Sequence, residues 1–273
     1  KYQMSEIIDF LIIGSGPSAA EVARTIAEKG QKATIIDVGF HDNNNSNIPN
    51  EDFLTIRHQN KNQKELFLGN EYEAIPWGNI KTGAQLTPNR KFIIQNVDKI
   101  TPIISENFFP MESLAYGGLG SGWGLGCYEF SKEEIEKVGL DYQDINKAYK
   151  NVAKNIGIAN PIGDTQKYCT NNPEVLFENL QMDNSISILY NTYLKKKTII
   201  NEKGLFMGYP PLAIITQNKE DRKKCNYFDT EFYSDENKHA YRPWFTINKL
   251  IQQNAINYIP NTLATEFYQD ADG

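Results

Sequence analysis

Gly14, Gly16 and Ala19 stand at the spacing G-x-G-x-x-A, and an acid, Asp37, follows after about twenty residues, the separation expected of a ribose-binding acid. Gly14 permits a tight turn, Gly16 lets the backbone approach a pyrophosphate, and Ala19 keeps the following helix close to its sheet. Ser15, Pro17 and Ser18 fill the same loop. A helix starting there presents unpaired N–H groups and the positive end of its dipole to phosphate. Asp37, with Val38 beside it, is placed to accept hydrogen bonds from ribose hydroxyls. The chemistry expected of this set is recognition of a dinucleotide.

Positioning such a set requires a strand, a helix and a second strand in that order. Residues 7–39 supply it: an apolar run, Ile7 to Ile13, leads into the glycine turn, a small-residue helix follows, and a second strand over Ala33 to Ile36 ends on Asp37. A second segment, from Tyr116 to Gly126, has glycine at every second position from Gly118 onward, interleaved with Leu119, Ser121, Trp123 and Leu125. So much backbone entropy suits a chain pressed against a large flat ligand, with N–H groups free for phosphate or a polarised ring edge. A flexible linker would be more polar.

Composition excludes more than it identifies. The 273 residues, 40% of them hydrophobic, can bury a substantial core, and no apolar run approaches the roughly 20 residues of a membrane span. Cys127, Cys169 and Cys225 lie far apart and form no C-x-x-C, so neither a disulfide framework nor a metal site is expected and a reducing cytoplasm is. A net charge of −6 argues against nucleic-acid binding, and the runs Lys195-Lys196-Lys197 and Arg222-Lys223-Lys224 read as solvated faces.

Along the chain, a polar tract follows His41 at Asn43–Asn47, and residues 51–110 read as an irregular excursion with turns at Pro76-Trp77-Gly78 and Thr87-Pro88-Asn89. Ser131, three before Glu134, opens a helical stretch in which Ile145, Ala148, Tyr149, Val152 and Ile156 share a core-facing side. Residues 160–235 form a polar lobe, Ile247 to Tyr258 reads as a helix, and Leu263 to Tyr268 as a strand. The boundaries are therefore 1–159 for a nucleotide domain, 160–235 for a substrate-side lobe and 236–273 for a return to the first domain. Lys1 precedes Met4, and Gln269 to Gly273 looks like a hairpin turn without its returning strand. Both ends suggest part of a longer protein.

GSGPSAAEVARTIAEKG with TIIDVG, then ESLAYGGLGSGWG, then DYQDINKAYKNVAKNIGI resemble successive landmarks of the glucose-methanol-choline oxidoreductases, especially their bacterial sugar-processing branch. Residues 223–267 resemble the later portion, where a helix and strand return to the flavin domain. The resemblance implies an α/β, Rossmann-like FAD-binding domain with a parallel sheet and a smaller irregular lobe, incomplete at the C-terminus. It implies FAD held by Gly14, Ser15, Gly16, Pro17, Ser18, Asp37 and Val38 at the ADP half and by Gly117, Gly118, Ser121, Gly122 and Trp123 at the flavin half, with the Ala264 backbone at adenine. The implied reaction oxidises an alcohol group, of a sugar or sugar derivative, by hydride transfer to flavin, with the electron acceptor open.

Two departures qualify the resemblance. Gly122 occupies the position from which some relatives attach FAD through histidine, so the cofactor is expected to be non-covalent. The family's catalytic histidine and its partner come from a C-terminal portion, and His41, His58 and His239 match no catalytic motif, which leaves the base unassigned. A C-terminal segment or second chain would complete the fold. An NAD-dependent dehydrogenase, a flavoprotein without net redox change, and a non-catalytic fragment or half of a split protein stay open as alternatives.

Overall fold

The computed structural model describes residues 7–41, 51, 53–72, 74–75, 87–108, 110–227 and 237–269. In chain order the elements are β1 (Leu11–Ile13), α1 (Pro17–Glu28), β2 (Ala33–Ile36), α2 (Phe53–Gln59), α3 (Gln63–Leu68), α4 (Val97–Ile100), α5 (Lys132–Lys137), α6 (Tyr142–Ile156), β3 (Ile162–Gly163), α7 (Asn184–Lys195), α8 (Lys197–Glu202), β4 (Gly208–Tyr209), α9 (Pro243–Gln252) and β5 (Ile256–Ile259). Short 3-10 turns cover Pro88–Ile94 and Gly118–Ser121. The polar tract at 43–47, the turn at 76–78 and the C-terminal residues 270–273 lie outside the described residues.

The described residues divide into two compact units, 7–123 with 242–269 and 124–227 with 237–241. The first is mixed α/β, with a parallel sheet in the order β1-β2-β5. One face is buried. Ile12, Ile35 and Tyr258 are register neighbours on it, and α1 and α9 close over Ile35, Ala33 and Ile256 with Ala20, Ala23, Ile247, Leu250 and Tyr116. Alanines at positions 20 and 23 let α1 come close to the strands, so Gly16 and Ser18 sit at the sheet's carboxyl end.

On the opposite face the neighbours are Ile13, Ile36 and Ile259, and there Leu11, Ile13 and Ile259 are 50, 46 and 37% exposed. Parallel sheets ordinarily cover both faces. β1 also has a free edge among the described residues. Phe10 accepts from Thr34 N and Gly14 N donates to Ile36 O, so the alternation of a parallel ladder turns the polar groups of Leu11 and Ile13 the other way.

The return to the sheet differs from the sequence reading. The helix expected over Ile247 to Tyr258 ends at Gln252, and Ile256–Ile259 is the third strand, while Leu263 to Tyr268, expected as a strand, belongs to no helix or strand. Asn254 takes the left-handed conformation (φ 54) that stops the helix, and β-branched and aromatic residues follow. Pro260, which lacks an N–H donor, ends the strand.

The second unit begins at Gly124, so the amphipathic helix assigned on sequence to a nucleotide domain of 1–159 belongs to it. The capping box at Ser131 and Glu134 is present, but it opens only α5, which stops before Gly139 (φ 79), and Asp141 caps α6 anew. Ala148, expected on the core side, is exposed, and Ala153 is buried instead.

Arg222 is not on a solvated face. It is 6% exposed, donates from Nε to Lys238 O (2.8 Å) and from its terminal nitrogens to Ile156 O (2.5 Å) and His239 O (3.2 Å), and burial pulls its pKa down to about 10. Ile156 ends α6, so the guanidinium caps that helix at the favourable end of its dipole. Arg222→Met is expected to cost about 2–4 kcal/mol, because two buried carbonyls and one half-buried one lose a charged donor. Chemical denaturation measures it; a cost under about 1 kcal/mol would mean that water replaces the guanidinium.

Candidate dinucleotide site

β1 ends in the turn the sequence requires. Gly14 has φ +85, closed to most L-residues, and its N–H donates to Ile36 O at 2.8 Å, which ties the turn to β2. Gly16 is the N-cap of α1 and has no side chain to cap with, and Pro17 at the first helical position has no N–H. The first-turn amides of Ser18 and Ala19 are then orphan donors, since Ala20 N is the first to bond back, to Gly16 O (3.0 Å). A Cβ built on Gly14 or Gly16 would meet no atom within 4 Å. Open space thus lies before an uncapped helix N-terminus, which suits a pyrophosphate.

Asp37 follows β2 and is 6% exposed. Its Oδ2 accepts from Ser15 Oγ and from the Tyr258 hydroxyl (3.0 Å), and the Gly39 N–H is a third donor to the carboxylate. Burial nonetheless holds its pKa above the usual carboxylate range, the three donors offsetting part of that cost. A carboxylate has about four lone-pair sites, which leaves roughly one for a ribose hydroxyl. The acid expected to face the ribose is therefore also an internal clasp joining the loop after β1 to β2 and β5. Val38 O accepts from Asn261 N (3.2 Å) and Asp37 O from Thr262 N (2.9 Å), so the chain leading to half-buried Ala264 is anchored at the end of β2.

The glycine segment reaches the same place. Phe40 pairs with Ala115 in a parallel bridge, and Gly117 N donates to Ser15 Oγ at 2.8 Å, so one serine hydroxyl links Asp37 to the second segment. A Cβ on Gly118 would stand 3.3 Å from Gly16 Cα. Gly117 and Gly118 thereby lie against the loop at Ser15 and Gly16, while a Cβ on Gly122 would stand 2.5 Å from Ile93 Cδ1.

The reason for the glycines differs in part from the sequence reading. Gly117 has φ +85, and a Cβ on Gly120 would lie 2.5 Å from Pro243 Cγ and 2.9 Å from Pro17 Cγ. The N–H groups of Gly118 and Gly122 donate to Ala115 O (2.8 Å) and Leu119 O (3.0 Å). With Gly117 committed to Ser15, three amides expected to be free for a ligand are used within the protein.

Residues the motifs did not mark complete the surroundings. Tyr258 holds Asp37, and Tyr116 packs between Tyr258 (5.1 Å between ring centroids) and His41 (4.5 Å), with its hydroxyl on Asn248 Oδ1 at 2.7 Å. Burial raises the pKa of both tyrosines, so they stay neutral donors. Ser121 Oγ donates to Tyr116 O (2.6 Å), buried Arg90 donates to Ser121 O (2.7 Å), and Arg242 Nη1 reaches Trp123 O at 3.4 Å. His41 lies beside Asp37 with its pKa lowered by burial, His58 is exposed in the last turn of α2, and His239 is buried in the second unit.

No protein-family model matches the chain, and comparison with curated proteins finds no match. Among the described residues no helix is long and apolar enough to cross a membrane, and no cluster of three or more His, Cys, Asp or Glu could hold a metal ion.

Proposed function

We propose that the chain carries the dinucleotide-binding part of an FAD-dependent oxidoreductase acting on an alcohol group, with sugars and their derivatives as the first candidate substrates. The observation that carries this reading is the 2.8 Å bond from Gly117 N to Ser15 Oγ, which brings a second glycine segment against the pyrophosphate loop. A nicotinamide dehydrogenase needs only the first loop. A second segment alongside it gives a longer dinucleotide further backbone to lie on, and the resemblance to glucose-methanol-choline oxidoreductases points to FAD. Gly14, Gly16 and the amides of Ser18 and Ala19 would hold the pyrophosphate, Asp37 one ribose hydroxyl, and the Gly117–Trp123 segment the flavin side.

When bound, flavin supplies hydride acceptance, while the protein supplies positioning and exclusion of water. None of the three histidines is assigned as base: His41 is packed on Tyr116, His58 is exposed and His239 is buried in the other unit. A further segment or chain supplying strands beside β1 belongs to the same proposal, because β1-β2-β5 matches one half of a doubly wound sheet and leaves the Leu11 and Ile13 edge for the other half.

The test is spectroscopic. The purified protein is expected to be yellow, and acid precipitation should release all flavin into the supernatant as FAD, since Gly122 offers no attachment atom. Flavin remaining in the precipitate would refute non-covalent binding, and a protein that takes up NAD but no FAD would refute the assignment.

A further inference from the structure

In the second unit α7 and α8 run nearly end to end and are broken only at Lys196. Leu189, Thr192, Tyr193, Lys196 and Ile200 recur at spacings of three and four along this pair and line one wall of a cavity of about 290 Å³. The chain turns back through Gly204 (φ +77), and Leu205, Phe206 and Met207 line the cavity as well. Its size lies near the lower end of the roughly 300–1,000 Å³ range of small-ligand sites.

A polar network fixes the helical wall. The Tyr193 hydroxyl, with one proton to give, lies 2.5 Å from Asp164 Oδ2 and 2.7 Å from Asn201 Oδ1, Asn201 Nδ2 donates to Asp164 (2.8 Å), and Lys197 pairs with Asp164 at 2.5 Å. Lys197 is thereby neutralised. Lys196, exposed and lining the cavity, has no ion-pair partner among the described residues. In a chain of net charge −6, residues 184–207 carry Lys195, Lys196, Lys197 and Lys203 against the single acid Glu202. Three cavity-lining apolar side chains, Leu189, Leu205 and Phe206, are 51, 63 and 42% exposed.

An apolar hollow with half-exposed walls, with Lys196 in its lining and Lys167 Nζ 5.4 Å from the ring centre of Phe206, matches a molecule with an aliphatic body and an anionic end. We propose that this cavity binds a monomeric single-chain anionic amphiphile, such as a fatty-acid carboxylate, with its alkyl chain between the helices and the 205–207 segment and its head group paired with Lys196. All of the cavity's lining residues belong to the second unit. Each methylene that enters it should tighten binding roughly fourfold.

The test is calorimetric titration of the full chain with octanoate and decanoate below their micelle concentrations, with decanol as the neutral comparator and anionic phospholipid vesicles as a separate arm. Decanoate is expected to bind saturably at one site, about fifteenfold more tightly than octanoate, for two further methylenes at roughly fourfold each. Lys196→Gln should weaken decanoate about tenfold and leave decanol unchanged. Leu205→Glu, at an exposed position that leaves the fold intact, should remove both. No saturable decanoate binding, or binding unchanged by Leu205→Glu, would overturn the proposal. Binding to vesicles without binding of monomeric decanoate would also overturn it, since the contact would then be with a lipid surface.

Discussion

Gly16→Val is expected to leave stability nearly unchanged and to weaken FAD binding at least a hundredfold. The backbone at Gly16 (φ −65, ψ −178) is open to any residue, and a Cβ there meets no atom within 4 Å. The unfolded state loses freedom when glycine is replaced, which favours folding by about 0.4–1 kcal/mol, and the poorer N-cap preference of valine offsets that gain. The added methyl groups would fill the space before the Ser18 and Ala19 amides, where a pyrophosphate must lie to use the α1 terminus. Gly120→Val is the contrasting variant. Its side chain would run into the rigid rings of Pro243 and Pro17, with Cβ distances of 2.5 and 2.9 Å, and overpacking of that kind costs about 1–3 kcal/mol. Thermal denaturation and FAD titration of both variants separate the two effects. Unchanged FAD affinity in Gly16→Val would mean that no pyrophosphate comes to this loop.

The contrast between these glycines shows what could be read in the chain. The order of strand, turn, helix, strand and acid over residues 7–39 was legible because each step is local: an apolar run, a turn needing positive φ at Gly14, alanines on one helical face and a short β-branched strand. Even there β1 is shorter than its apolar run, covering Leu11–Ile13. The third strand was not legible. Ile247, Leu250 and Ile251 carry a helical spacing that runs into Ile256 and Tyr258, and the break between them is one left-handed asparagine, Asn254.

Longer-range causes were hidden altogether. Glycine at position 120 answers to Pro17 and Pro243, and Gly118 answers to Gly16, none of which a local pattern connects. Arg222 read as part of a basic run, yet it serves carbonyls at 156, 238 and 239. The cavity beside Lys196 depends on the reversal at Gly204 that returns Leu205 to Met207 toward α7. At the candidate site the residue type and position of Asp37 were legible, but its donors were not, because Tyr258 arrives on β5 from the far end of the sequence.

Asp37→Ala is therefore expected to have two consequences that pH separates. At pH values where the carboxylate is ionised, loss of one charge-assisted hydrogen bond to a ribose hydroxyl, about 1.5–3 kcal/mol, should weaken FAD binding about 10- to 150-fold. Ser15 would also lose the acceptor of its hydroxyl proton, which loosens the link from Ser15 to Gly117. Burial raises the Asp37 pKa in the folded chain, so across the window between its unfolded and folded values the native state holds the proton more firmly than the unfolded state does. Stability contributed by this group is then full below the unfolded pKa and falls as pH rises through the folded one. Cofactor affinity moves oppositely, because the ribose hydroxyl needs the ionised acceptor and gains it as pH rises. FAD titration and thermal denaturation over the same pH series should show these opposed slopes in the parent and neither in Asp37→Ala or Asp37→Asn. Equal FAD affinity for parent and Asp37→Ala would leave the carboxylate as a clasp for Ser15, Gly39 and Tyr258 alone. Parallel slopes of stability and affinity would place the titrating group elsewhere, with His41, packed at a tilt on Tyr116 beside the same carboxylate, as the next residue to replace.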